Sequence, residues 1–120
     1  MITATFLAML LGAEPQMAIP VDCTVKYYRT FSGYSLPLKL IEPFTKEEAL
    51  CSGSAYYIGH FDQNNMLIKI EKMHKGKLLF THVYGYYPNG SIKRLENTPA
   101  EGKTVIKEYD ERGKSLGKKP

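Results

Sequence analysis

Phe61-Asp62-Gln63-Asn64-Asn65-Met66-Leu67 is the stretch on which the fold turns. An aromatic residue leads into a run of Asp and Asn, and an aliphatic residue leads out. Asp and Asn bond their own backbone, and Asn tolerates the left-handed region, so the run reads as a tight turn between two strands. The same order returns in Tyr87-Pro88-Asn89-Gly90-Ser91-Ile92, and again in Tyr109-Asp110-Glu111-Arg112-Gly113-Lys114-Ser115-Leu116. Phe61, Tyr87 and Tyr109 are spaced by 26 and then 22 residues, a period that suits a repeated two-strand unit. Asn89-Gly90 supplies the positive φ values of a two-residue hairpin turn. Lys75-Gly76-Lys77 and Glu101-Gly102-Lys103 add two further turn signals.

Outward from these turns the residues alternate as strands do. Met66, Ile68 and Ile70 fall on one face, and Leu67, Lys69, Glu71 and Met73 on the other. Val105 and Tyr109 oppose Ile106 and Glu108 in the same way. Strands are expected near 55–61, 66–73, 77–86, 91–96, 103–109 and 114–117. Gly59 and Gly85 fall inside them, marking bulges or close approaches. Upstream, Thr24 to Phe31 is rich in β-branched and aromatic residues and reads as a strand ended by Ser32-Gly33. Leu36-Pro37-Leu38-Lys39-Leu40-Ile41 is apolar but carries a proline, so it reads as an edge strand or a covering segment. Thr45 and Glu48 form a capping box for one short helix, which Ser52-Gly53-Ser54 stops. The expected fold is mainly β: an antiparallel meander of about six or seven strands built from repeated hairpins, with one short helix. Residues 1–22 read as an apolar appendage and linker, 23–117 as a single β-rich domain and 118–120 as a basic tail.

Composition agrees with this reading. The 120 residues, 43% of them hydrophobic, suffice for one modest core. Nine Tyr and five Phe with no Trp favour strands. The net charge of +4 is scattered except toward the end, where Arg112, Lys114, Lys118 and Lys119 gather. Cys23 and Cys51 form no C-x-x-C motif, which removes zinc-ribbon and thioredoxin-like readings. Two free thiols are expected. In an exported chain they would instead be free to close a loop of about 27 residues.

Residues 2–11 are the most apolar run, yet too short to span a membrane as a helix. Their length suits a signal-peptide core, but no Lys or Arg precedes them, and Met17 offers a second start. A cytoplasmic protein is the favoured reading. A periplasmic or secreted protein with an atypical N-terminal signal is the alternative. No transmembrane span is expected.

Two blocks resemble a family of small bacterial proteins known only as a domain of unknown function. The first is Tyr27-Tyr28-Arg29-Thr30-Phe31-Ser32-Gly33-Tyr34-Ser35-Leu36-Pro37-Leu38-Lys39-Leu40; the second runs from Tyr56 to Gly90, with Ile70-Glu71-Lys72 and His82-x-Tyr84-x-Tyr86-Tyr87-Pro88-Asn89-Gly90. The resemblance covers about residues 25–110. It implies no activity, and it implies that residues 1–16 are an appendage. Cys51-Ser52-Gly53 departs from that family's pattern. The hairpins alone also resemble tyrosine–aspartate and MORN-type repeats.

The chemistry-bearing residues do not assemble into an enzyme by spacing. His60, His74 and His82 have no Cys or carboxylate at ligand spacing, so no metal or cofactor is expected. Neither Cys23 nor Cys51 sits in a nucleophile motif. Asp62 and Asp110 read as turn residues, and Glu71 and Glu108 pair with them only if hairpins stack. Arg29, Lys39, Lys69, Lys72, Lys93 and Arg94 interleave with Tyr27, Tyr28, Tyr34, Tyr84 and Tyr86, a mixture that suits either an ordinary solvated sheet or single-stranded nucleic acid. The reading is therefore a non-enzymatic protein-interaction module that self-associates or holds a protein partner. Its candidate surface is Tyr27, Tyr34, Tyr84, Tyr86, His82, Lys72 and Arg94. The alternatives are a nucleic-acid-binding module and a small exported envelope-associated protein.

Overall fold

Three turns of one design fold the chain back on itself. The amide of Asp62 donates to Met66 O at 3.0 Å, and that of Asn65 to Asp62 O at 2.9 Å. Tyr87, Gly90 and Ser91 repeat this pair of bonds, as do Asp110, Gly113 and Lys114. The closing residue is left-handed each time: Asn65 at φ 64, Gly90 at φ 90 and Gly113 at φ 89. This is the three-residue loop in which a type I turn ends in a left-handed bulge residue. Asn89-Gly90 is therefore not the two-residue turn expected from sequence. Only Gly90 is left-handed, and Asn89 Oδ1 instead accepts the Ser91 amide at 2.9 Å. A turn with both residues at positive φ occurs at Lys75-Gly76 (φ 50 and 77), between the paired His74 and Lys77.

The bonds also correct the repeat. Phe61, Tyr86 and Tyr109 occupy the equivalent entry position, and Leu67, Ile92 and Ser115 the equivalent exit. The spacing is thus 25 and 23 residues, with Tyr86 rather than Tyr87 in the aromatic slot. Leu116, read as the third exit residue, is 64% exposed.

The computed structural model describes residues 23–119. The apolar run and linker of residues 1–22 lie outside the described residues. The elements are β1 (Thr24–Ser32), β2 (Lys39–Phe44), α1 (Lys46–Cys51), β3 (Tyr56–Phe61), β4 (Leu67–His74), β5 (Lys77–Tyr86), β6 (Ile92–Pro99), β7 (Val105–Tyr109) and β8 (Ser115–Lys119). They form one antiparallel sheet in the order β2-β1-β3-β4-β5-β6-β7-β8. The meander is eight-stranded, against an expectation of about six or seven, because residues 39–44 pair with β1 and the last strand pairs with β7. That last strand continues to Lys119, into the stretch read as a basic tail. Thr45 caps α1 as expected: its side chain accepts the Glu48 amide at 3.0 Å, and Glu48 Oε1 accepts the Thr45 amide at 2.8 Å.

Directly paired residues share a face, so the register sorts the side chains. Lys26, Gly59, Ile70, His82, Asn97 and Val105 form one cross-strand row. Tyr28, Tyr57, Lys72, Phe80 and Pro99 form a second row on the same side. Val25, His60, Lys69, Val83, Glu96 and Ile106 line up on the opposite side. Strict alternation fails beside the turns. Lys69 pairs with His60 and Leu67 with Phe61, so Ile68 is skipped and Leu67 joins Ile70. The expected grouping of Met66, Ile68 and Ile70 is broken by this bulge.

The core lies on the first side. Tyr57, Leu67, Ile70, Tyr84, Ile92 and Leu95 are buried there, with Ile70 fully covered. Residues 33–38, the connection between β1 and β2, run over them as a strap that lays Leu36 and Leu38 on the cluster, joined by Leu40. This explains Gly59. A Cβ at that position would stand 2.8 Å from Leu40 Cδ1 and 3.0 Å from Phe61 Cε1. Gly85, by contrast, has ordinary space around it and borders a bulge. We call this side the strap face and the other the open face. Among the described residues the open face is covered only near β1, where Tyr27, Phe44 and Tyr56 cluster and α1 packs with Ala49 buried.

Candidate interaction surface

The seven candidate residues separate into three places. Tyr84, Tyr86, His82 and Lys72 lie on the strap face, Tyr27 and Arg94 on the open face, and Tyr34 on the strap itself.

Tyr84 is buried beneath the strap. Its hydroxyl oxygen accepts the Leu38 amide at 3.3 Å and stands 3.1 Å from His82 Nδ1. Burial pushes the phenol up to about 12, so it keeps its proton. Desolvation, assisted by the Lys107 charge, lowers the His82 pKa and favours the neutral ring. The consistent arrangement has Leu38 N–H donating to Tyr84, and Tyr84 O–H donating to the lone pair of His82 Nδ1. Tyr86 is half-buried, and its hydroxyl donates to Leu67 O at 2.5 Å. Desolvation raises its pKa as well. Tyr84 and Tyr86 therefore build the core, while Tyr34, at 91% exposed, stands out from the strap against the edge of Phe31.

Beyond the strap the same face carries a cationic and aromatic group. The Phe80 and His82 rings lie 4.7 Å apart and 32° from parallel. Lys72 Nζ reaches over both Tyr57, at 5.5 Å, and Phe80, at 5.9 Å. On the open face Arg94 Nη2 pairs with Glu96 Oε2 at 2.9 Å, and His60 Nε2 meets Glu71 Oε1 at 2.7 Å. Arg94 Nε is buried without a hydrogen-bond partner. Tyr27 packs on Tyr56.

The register reveals a charge division that composition hides. Glu71, Glu96 and Glu108 all occupy open-face positions, beside Lys69 and Arg94. Lys26, Lys72 and Lys107 occupy strap-face positions, with Lys77 at the tip of the β4–β5 hairpin. Lys26, Lys77, Lys107 and Phe80 were not among the residues singled out from sequence. A signal for one of these lysines was present: Lys107-Glu108, like Glu71-Lys72, is a pair of adjacent opposite charges, which a strand must send to opposite faces.

Two clefts flank the strap. One, of about 350 Å³, has Tyr28, Leu40, Phe61, Leu67 and Tyr86 in its wall and Lys39 among its lining. The other, of about 310 Å³, lies between Leu36-Pro37 and the turns at Gly90 and Gly113. Cys23 and Cys51 are free thiols. Among the described residues no group of three or more His, Cys, Asp or Glu side chains could hold a metal ion, and no helix is long and apolar enough to cross a membrane.

Fold and surface together define an open meander of hairpin repeats, strapped on one face and, among the described residues, largely uncovered on the other. The chain matches a family of unknown function, DUF6156, over residues 21–118, and it belongs to that family. No curated protein and no solved structure matches it.

Proposed function

We propose that the chain is a non-enzymatic protein-interaction module that pairs with a second copy of itself through the open face. The observation that carries this reading is the row Val25, His60, Lys69, Val83, Glu96, Ile106. Val25 is 46% exposed and Val83 39%, on a sheet side where α1 is the covering element among the described residues. A sheet normally buries one face on another element. Two sheets stack face to face at about 10 Å, and aliphatic residues on both inner faces interdigitate. The same face carries Glu71, Glu96 and Glu108 against Lys69, Arg94 and His60. A nearly balanced mixture of this kind is complementary to itself under a two-fold axis, where each contact is made twice.

Sedimentation velocity over a concentration series tests this. The expected result is a concentration-dependent dimer that Val83→Lys converts to monomer while Lys72→Gln, on the strap face, leaves it intact. A wild-type chain that stays monomeric into the millimolar range overturns the reading, as does a dimer indifferent to Val83→Lys.

A further inference from the structure

We propose that the strap face, beside the strap and around Phe80, binds single-stranded nucleic acid. Two independent features of the fold meet there. The first is charge. Strand alternation and register bring Lys26, Lys72, Lys77 and Lys107 to this side and send Glu71, Glu96 and Glu108 to the other. Cations gathered on a face opposite Glu71, Glu96 and Glu108 attract a polyanion, and they release its counterions on contact. The second is shape. Phe80 and His82, two flat rings 4.7 Å apart, sit half-buried on β5. Lys72 lies one strand to one side on β4, and Lys107 two strands to the other side on β7. Lys107 is close enough for its charge to act on His82.

Planar rings flanked by lysines are what bases and phosphates require together. Bases stack on an aromatic face whatever their identity, and phosphates take the flanking charges. An acidic polypeptide would use the lysines but has no need of the rings, so the rings decide between the two. Lys72 lies over the Tyr57 and Phe80 rings, so its charge stands beside the aromatic group. Phe80 pairs with Pro99, and His82 with Asn97, so small or flat residues of β6 border the platform.

Fluorescence anisotropy of a labelled oligo(dT) strand, titrated at several salt concentrations, tests this. Wild-type chain is expected to bind at low salt, with affinity falling as salt rises. The double variant Lys72→Gln, Lys107→Gln should lose about tenfold or more in affinity and about 1.4 in the slope of log K against log salt, at ~0.7 per phosphate contact. Lys69→Gln removes one lysine charge from the opposite face and should change affinity by less than about twofold. Phe80→Leu should weaken binding several-fold and leave the slope alone. Circular dichroism confirms the fold of each variant, and the lysine variants carry the test if Phe80→Leu does not fold. Absence of binding at low salt overturns the proposal, as does an equal loss from Lys69→Gln. Polyglutamate competing as well as oligo(dT), with Phe80→Leu silent, would make this an acidic-polypeptide site and overturn it too. Self-association is separable, because monomeric Val83→Lys retains the whole strap face and should bind oligo(dT) like wild type.

Discussion

The Tyr84 hydroxyl lies 3.3 Å from the main-chain nitrogen of Leu38, and this bond ties the middle of the sheet to the strap that covers it. The two residues are 46 apart in sequence. The strap is otherwise held by Leu36 and Leu38 packing on the core. Tyr84→Phe keeps the ring and removes the only oxygen, leaving the Leu38 amide and His82 Nδ1 without their partner. The expected loss is about 1–2 kcal/mol of unfolding free energy. Amide exchange at Leu38 should accelerate more than at Ile70, which sits in the β4 ladder. Denaturant titration and hydrogen exchange check both.

His82 makes stability depend on pH. Its folded pKa lies below the ordinary 6.5, because desolvation and Lys107 disfavour the imidazolium. Below 6.5 the unfolded chain therefore binds more protons at this position than the folded chain. The His82 contribution is fully present above 6.5 and is lost as pH falls through 6.5 toward the folded pKa. Glu48, whose carboxylate is held low chiefly by the Thr45 amide, contributes in a separate window below its ordinary 4.5. His82→Gln should flatten the unfolding free energy between pH 8 and pH 5 relative to wild type. An unchanged slope would show that another group sets it.

Gly59 gives the core room for Leu40. Gly59→Ala places a methyl group 2.8 Å from Leu40 Cδ1 and 3.0 Å from the Phe61 ring. The leucine end can give way and the ring less easily, so the cost should be about 1–2 kcal/mol. Combining it with Leu40→Ala should cost less than the sum of the two single changes, because the clash partner is gone. Chemical denaturation of the four proteins closes the cycle.

The β4–β5 turn carries avoidable strain. Lys75 sits at φ 50 in a two-residue turn, where a lysine side chain crowds its own carbonyl. Lys75→Asn creates the Asn-Gly pair that such a turn favours and should stabilise by up to about 1 kcal/mol. Gly90→Ala is the converse, placing a Cβ at φ 90, and should destabilise by about 1 kcal/mol or more. Thermal melts of both variants decide the matter.

The candidate surface was legible as a set of residue types and not as a place. Tyr84 and Tyr86 look like any other strand tyrosines until the strap is seen to lie over them. Lys72 and Arg94 look alike in sequence, yet one faces the strap side and the other pairs with Glu96 on the open side. Four register shifts, beside Phe61, Met73, Tyr86 and Tyr109, interrupt the alternation. A one-residue slip moves every following side chain to the other face, so period-two counting across a bulge assigns faces wrongly.

What the sequence determined by itself was local: where the chain reverses, where it is extended and where a capping box starts a helix. Turn residues, β-branched and aromatic runs and the Thr45–Glu48 pair act through neighbours within a few positions, and their effect survives without knowledge of the rest of the chain. Only the tertiary structure decided which side of the sheet is core, which glycine makes room for a leucine, and that Glu71, Glu96 and Glu108 lie on the face opposite Lys72 and Lys107. Those depend on ladder register and on a strap reaching from β1 to β5. Register is set by hydrogen bonds between residues far apart in sequence, which no local pattern records.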